Sequence, residues 1–134
     1  MAKRSRGVVY LVDADVSVRQ GLARLLDAAG LEARPCVSTV AFLRRAPAGR
    51  DVCALIDVSD LMRCEPGPWA DLCAAARAVP IIALSPDDDA ATRQMARAMG
   101  VQAFFRKPVD AAALLDSIAW VMRAEARDAS AMGR

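Results

Sequence analysis

The sequence predicts a single α/β domain built on one parallel sheet with helices on both faces. Two observations predict it. Short apolar runs rich in β-branched residues, such as Val8-Val9-Tyr10-Leu11-Val12 and Val52-Cys53-Ala54-Leu55-Ile56, are too brief for ordinary helices and suit strands buried on both faces. Segments with helical apolar spacing separate these runs, and strand and helix patterns alternate five times with no internal linker, the signature of a parallel sheet covered on both sides.

Val8 to Val12 forms the first strand and ends at Asp13. Val18, Leu22, Leu25, Leu26 and Ala29 make the apolar stripe of the helix that follows, with Asp15 or Ser17 as its cap and Gly30 at its close. Residues 31–37 read as a poor strand, because Pro35 removes a ladder donor and is tolerated on a sheet edge. Ser38 opens a short helix through Val40, Phe42, Leu43 and Ala46, stopped by Pro47 and Gly49. The central strand reaches Asp57, a loop runs from Val58 to about Gly67, and Pro68 suits the first turn of a helix through Trp69, Leu72, Cys73 and Ala76. Pro80-Ile81-Ile82-Ala83-Leu84 is the fourth strand, ending in Ser85. Asp87-Asp88-Asp89 suits the start of a helix that closes at Gly100. Residues 101–105 form the last strand, and Asp110 caps a final helix carrying Leu114, Leu115, Ile118, Val121 and Met122.

Right-handed crossovers make strand order 2-1-3-4-5, the flavodoxin-like arrangement, the natural outcome. Pro35 then lies on an edge strand, and the sheet's switch point lies between strands one and three. Asp13 and Asp57 end those two strands, so both carboxylates point to the crevice where open α/β sheets bind ligands.

Composition narrows the functional classes. The chain has 134 residues, 55% hydrophobic and 25% charged, with a formal net charge of +2, which describes a globular domain without a field for nucleic acid or membrane. It contains no histidine, which removes histidine bases, metal ligands and phosphohistidine donors. Its four cysteines, Cys36, Cys53, Cys64 and Cys73, have neither a C-x-x-C nor a zinc-finger spacing and fit a reducing cytoplasm. The basic start at Lys3, Arg4 and Arg6 precedes only five apolar residues, too few for a signal-peptide core, and no later stretch approaches a membrane span. The expected division is a basic arm over residues 1–7, a domain over 8–123 and a helix end with a flexible tail over 124–134.

Asp13, Asp57, Ser85 and Lys107 all fall at carboxyl ends of strands. Converging carboxylates suit a hard divalent cation such as Mg²⁺. A lysine and a hydroxyl facing them suit a tetrahedral anion, so together they suit phosphoryl transfer onto a carboxylate. Taken singly, Asp57 can equally start a turn, Ser85 can be a turn residue before Pro86, and Lys107 can be a solvated helix-flanking charge.

Val12-Asp13-Ala14-Asp15 with Arg19, then Ile56-Asp57, then Ile82-Ala83-Leu84-Ser85, then Phe104-Phe105-Arg106-Lys107-Pro108 together resemble the receiver domain of two-component response regulators, the CheY-like superfamily. The resemblance spans about Val8 to Met122. It implies a phospho-accepting signalling domain rather than an enzyme, capable at most of catalysing its own phosphorylation and dephosphorylation. Asp57 resembles the phosphoacceptor, Ser85 the hydroxyl that turns toward the acyl phosphate, and Lys107 the lysine that pairs with it. Phe104 falls at the aromatic switch position; the other reading of it is packing under the last helix. Asp13, Asp57 and the Ser59 carbonyl resemble the Mg²⁺ ligands.

The chain also departs from that pattern. The family usually places two adjacent acidic residues after strand one; here they read Asp13-Ala14, a methyl group where the more direct Mg²⁺ ligand stands. Asp15 falls on the wrong side of an alternating backbone to replace it. After Asp57, Val58-Ser59-Asp60-Leu61 replaces the frequent Met-Pro step, and Gly67 comes too late to match the loop glycine. Asp60 is a further candidate carboxylate.

Two readings follow. In the first, a histidine kinase or phosphotransfer protein phosphorylates Asp57 with weakened Mg²⁺ support, and Ser85 and Phe104 alter a face that is expected to bind a downstream protein, unless the chain is a fragment of a longer regulator. In the second, the chain is a pseudo-receiver that binds partners without phosphorylation. A flavin or nucleotide binder lacks the glycine-rich phosphate loop after strand one. Trp120 lies off the stripe of the last helix and is a candidate contact for a homodimer or partner, or else folds over its own helix.

Overall fold

The computed structural model describes residues 7–45, 47–62 and 68–132, with residues 60, 62 and 124–132 described by backbone alone. Its elements follow the expected alternation. They are β1 Val8–Val12, α1 Val16–Ala28, β2 Glu32–Cys36, α2 Thr39–Arg44, β3 Val52–Asp57, a 3-10 turn Ser59–Met62, α3 Trp69–Ala78, β4 Ile81–Ser85, α4 Ala90–Met99, β5 Ala103–Arg106 and α5 Ala111–Met132. The sheet order is β2-β1-β3-β4-β5, and every pairing is parallel. Val12 stands opposite Ile56, Asp57 opposite Leu84 and Ser85 opposite Arg106. The tips of β1, β3, β4 and β5 therefore open on one edge.

Strand alternation divides the core into two layers. Tyr10, Val12, Ala54, Ile56, Ile81 and Ala83 pack against Phe42 of α2, Leu72 of α3, and Ala96 and Met99 of α4. Val9, Leu11, Leu55, Ile82 and Leu84 pack against Leu26 of α1 and Leu114, Ile118 and Val121 of α5. Both faces of β3 are covered, which is why its run is continuously apolar; fully burying each Leu or Ile there contributes about 1.5–3 kcal/mol.

Local chemistry sets the boundaries. Asp15 Oδ1 accepts from the backbone N–H of Ser17 and Val18 and caps α1. Ser38, Asp89 and Asp110 accept from Ala41, Thr92 and Ala113 at the starts of α2, α4 and α5. Gly100 ends α4 at φ 101°, a left-handed conformation that costs a glycine little. Pro35 sits in β2 at the sheet edge.

The structure departs from the sequence-based expectation in several places. β2 and β5 begin one and two residues later than expected. The loop after β3 opens with a 3-10 turn. α5 continues to Met132 where a helix end running into a flexible tail was expected; residues 123–132 hold good helix formers and no glycine. Gly7, placed by sequence at the end of the basic arm, is buried: its carbonyl accepts from Glu32 N at 2.8 Å, and a Cβ there would stand 2.8 Å from the Asp51 carbonyl. The rest of the arm, Cys64, Gly67 and the Asp60 side chain lie outside the described residues.

Cys36, Cys53 and Cys73 are free thiols, the first two buried, and burial pushes the Cys53 thiol up to about 12. Among the described residues no helix is long and apolar enough to cross a membrane.

Gly21 lies inside α1 with open space around the position of a Cβ. Gly21→Ala is therefore expected to stabilise the domain by about 0.5–1 kcal/mol, read as a higher urea midpoint at unchanged slope.

Candidate functional site at the strand tips

Each functional side chain reaches the site because a strand stops there. The chain leaves β1 at Asp13, which is 5% exposed; its Oδ1 accepts from Asp15 N at 2.9 Å, fixing the turn into α1. The Arg19 guanidinium, one turn into that helix, donates to the Asp13 carbonyl at 2.5 Å. β3 delivers Asp57, beside which Val58 N donates to Leu84 O at 2.9 Å and keeps the strand tip in register. β4 ends in Ser85, and Lys107 N donates to the Ser85 carbonyl at 2.9 Å just past β5.

Three of the expected residues meet directly. The Lys107 ammonium donates to Asp13 Oδ2 at 2.5 Å and to Asp57 Oδ2 at 2.6 Å, spanning the switch point. Asp57 Oδ1 accepts twice from one residue, from Ser59 N at 2.8 Å and from Ser59 Oγ at 2.6 Å. Burial pushes the Asp57 carboxyl up, but the bonds from Lys107 and from the Ser59 hydroxyl and amide outweigh it and hold the group below its ordinary range. Burial likewise disfavours the Lys107 charge, and the two carboxylates more than reverse that, so its ammonium persists above the usual lysine value.

Ser85 lies at the same edge, fully buried, but its hydroxyl accepts from Asp87 N at 3.0 Å rather than touching Asp57. Phe104 does not pack under the last helix. It lies on the opposite face with the α4 layer, where the Arg93 guanidinium stands 5.0 Å from its ring centre; Phe105 is the residue that packs toward α5. The reason is strand parity, since neighbouring residues of β5 face opposite sides of the sheet. Trp120 is 55% exposed on α5.

Among the described residues Asp13 and Asp57 are the carboxylates that could face a cation, with the Ser59 carbonyl nearby in sequence. Among the described residues no group of three His, Cys, Asp or Glu side chains gathers. Ala14 offers only a methyl group, and Asp15 is committed to capping α1. Two carboxylates fall within the one or two that a Mg²⁺ site typically takes from protein, the remainder being water and phosphate oxygens.

The second role of Ser59 was missed in the sequence, where only its carbonyl drew notice. A hydroxyl two residues after an aspartate was the available signal, because that spacing lets the aspartate accept from both the amide and the side chain ahead of it. Arg19 was visible as part of the motif, but nothing in its spacing told that it would hold a carbonyl.

No family profile matches the sequence, and no curated protein matches it. Solved structures do. A response regulator receiver protein from Burkholderia phymatum is 30% identical at TM-score 0.70, covering 87% of this chain and 94% of that one. The chain belongs to the response regulator receiver family. A CheY-like response regulator from Mesorhizobium loti is 28% identical at TM-score 0.72, covering 87% of this receiver and 98% of its own chain. The chemotaxis protein CheY4 of Vibrio cholerae, 22% identical at TM-score 0.71, shares the fold over 87% of this receiver and 99% of that protein. This receiver is thus a two-component signalling domain on a flavodoxin-like sheet.

Proposed function

We propose that this receiver accepts a phosphoryl group on Asp57 from a histidine kinase or phosphotransfer protein, with Mg²⁺ held more weakly than by a complete acidic pair. The observation that carries the reading is the Lys107 ammonium bonded at once to Asp13 and Asp57. An ionised Asp57 is a ready nucleophile and needs no general base, which suits a chain without histidine. Its oxygen forms the new P–O bond as the P–N bond to the donor imidazole breaks. The imidazole nitrogen keeps the electron pair and takes a proton.

Lys107 is placed to pair with the transferred group's oxygens once the carboxylate charge is spent. Asp13, Asp57 and the Ser59 carbonyl would hold Mg²⁺, which when bound offsets charge on the phosphoryl oxygens. Ser85 would exchange the Asp87 amide for the acyl phosphate, and Phe104 would move against Arg93, changing the α4–β5–α5 face that meets a downstream protein or, through Trp120, a second copy.

A specific observation favours a second reading, a pseudo-receiver that binds partners without phosphorylation. Ala14 supplies no ligand, and Asp57 already has its charge met by Lys107 and Ser59. Incubation with acetyl phosphate or phosphoramidate and Mg²⁺ separates the two. One phosphoryl mass mapped to the peptide holding Asp57 is expected under the first reading, and no addition at saturating donor would leave only the second. Ala14→Asp is expected to tighten Mg²⁺ about 10- to 100-fold and to speed labelling; an unchanged rate would show that the metal site is not what limits transfer.

A further inference from the structure

We propose that the Ser59 side chain is a positioning residue that occupies the cation-facing oxygen of Asp57 and so sets how readily a divalent ion enters this site. The inference rests on the receiver reading and concerns the Asp57 oxygen that Lys107 leaves alone. A carboxylate oxygen has two in-plane lone pairs. On Asp57 Oδ1 both are taken, by Ser59 N at 2.8 Å and by Ser59 Oγ at 2.6 Å. Asp57 Oδ2 and both Asp13 oxygens accept one bond each and keep one lone pair each.

Of the donors on Asp57 the hydroxyl alone can withdraw by a single rotation about Cα–Cβ. The amide is fixed by the turn, and Lys107 is shared with Asp13. An ion approaching Asp57 Oδ1 must therefore displace the hydroxyl and forfeit a charge-assisted hydrogen bond. With Ala14 at its side, the described residues supply no third carboxylate to offset that loss. The serine thus stands in for part of the positive charge a metal would bring, and it keeps the acceptor satisfied while the ion is away.

Calorimetric titration of the full chain with MgCl₂ at neutral pH tests this, with the backbone amide shifts of residues 13, 57 and 59 locating the ion. Ser59→Ala is expected to bind Mg²⁺ about tenfold more tightly than the wild type, the ratio that one such bond represents, and Ser59→Thr, which keeps the hydroxyl, to stay close to wild type. Detectable binding in Ser59→Ala alone also supports the role. Equal affinity, weaker affinity in Ser59→Ala, or no binding in either protein overturns it, the second result making the hydroxyl a ligand. Matching melts of the variants exclude a folding effect. The titration involves no phosphoryl transfer, so a chain that never labels but tightens with Ser59→Ala retains this role while the phosphoacceptor reading fails.

Discussion

Asp57→Asn is expected to abolish phosphoryl labelling altogether while leaving the fold in place. The amide is nearly the same shape as the carboxylate, and its oxygen can still accept from Ser59 N and Oγ, but it offers no anionic oxygen to attack phosphorus. Labelling that persists in Asp57→Asn, as read by intact mass and peptide mapping, would place the acceptor elsewhere. The same substitution carries a pH signature. Asp57 titrates lower folded than unfolded, so its contribution to stability is complete above the unfolded value of about 4 and is lost as pH falls through the folded one. The wild type is therefore expected to lose its stability advantage over Asp57→Asn as pH drops below about 4. A gap that stays constant from pH 7 to pH 3 would contradict the charge argument.

Lys107→Met should cost the domain about 2 kcal/mol at neutral pH. Methionine keeps most of the stem's packing but removes the ammonium that serves two carboxylates, one of them almost wholly buried. Breaking a buried pair leaves an uncompensated charge, and the partial exposure of Asp57 and Lys107 moderates the cost. Lys107 titrates higher folded than unfolded, so its contribution is fully present below the unfolded lysine value of about 10.4 and fades only as pH rises through the higher folded one. At acid pH the penalty should shrink for a different reason, because Asp57 protonates as pH falls through its lowered folded value and then no longer needs the cation. Urea melts at pH 7 and pH 3.5 decide it. Equal losses at both would assign the effect to packing alone.

The fold and the candidate site were legible to different depths. Val52 to Asp57 announced a buried strand because a segment covered on both faces must be apolar throughout, and Pro35 announced an edge because a central ladder needs its missing N–H. The caps Asp15, Ser38, Asp89 and Asp110 were visible as residue types next to helical stripes. Phe104 was harder. Whether it faced α4 or α5 turned on the parity of a four-residue strand, where a shift of one residue reverses every face. The length of α5 was also missed, because alanine, glutamate, arginine and methionine suit a helix and a polar tail alike.

What the sequence by itself determined is the set of strands and helices, their parallel order, and the arrival of Asp13, Asp57, Ser85 and Lys107 at strand tips. Those features are local, written in periodicity, caps and the few residues that stop a strand. Only the tertiary structure decided which atoms meet. Lys107 bonds to carboxylates 94 and 50 residues away, which depends on sheet order and register together, and the Ser59 hydroxyl closes on Asp57 through a backbone turn. Hydrogen bonds reach only about 3 Å, whereas a pattern of residue types places side chains no better than the width of a strand.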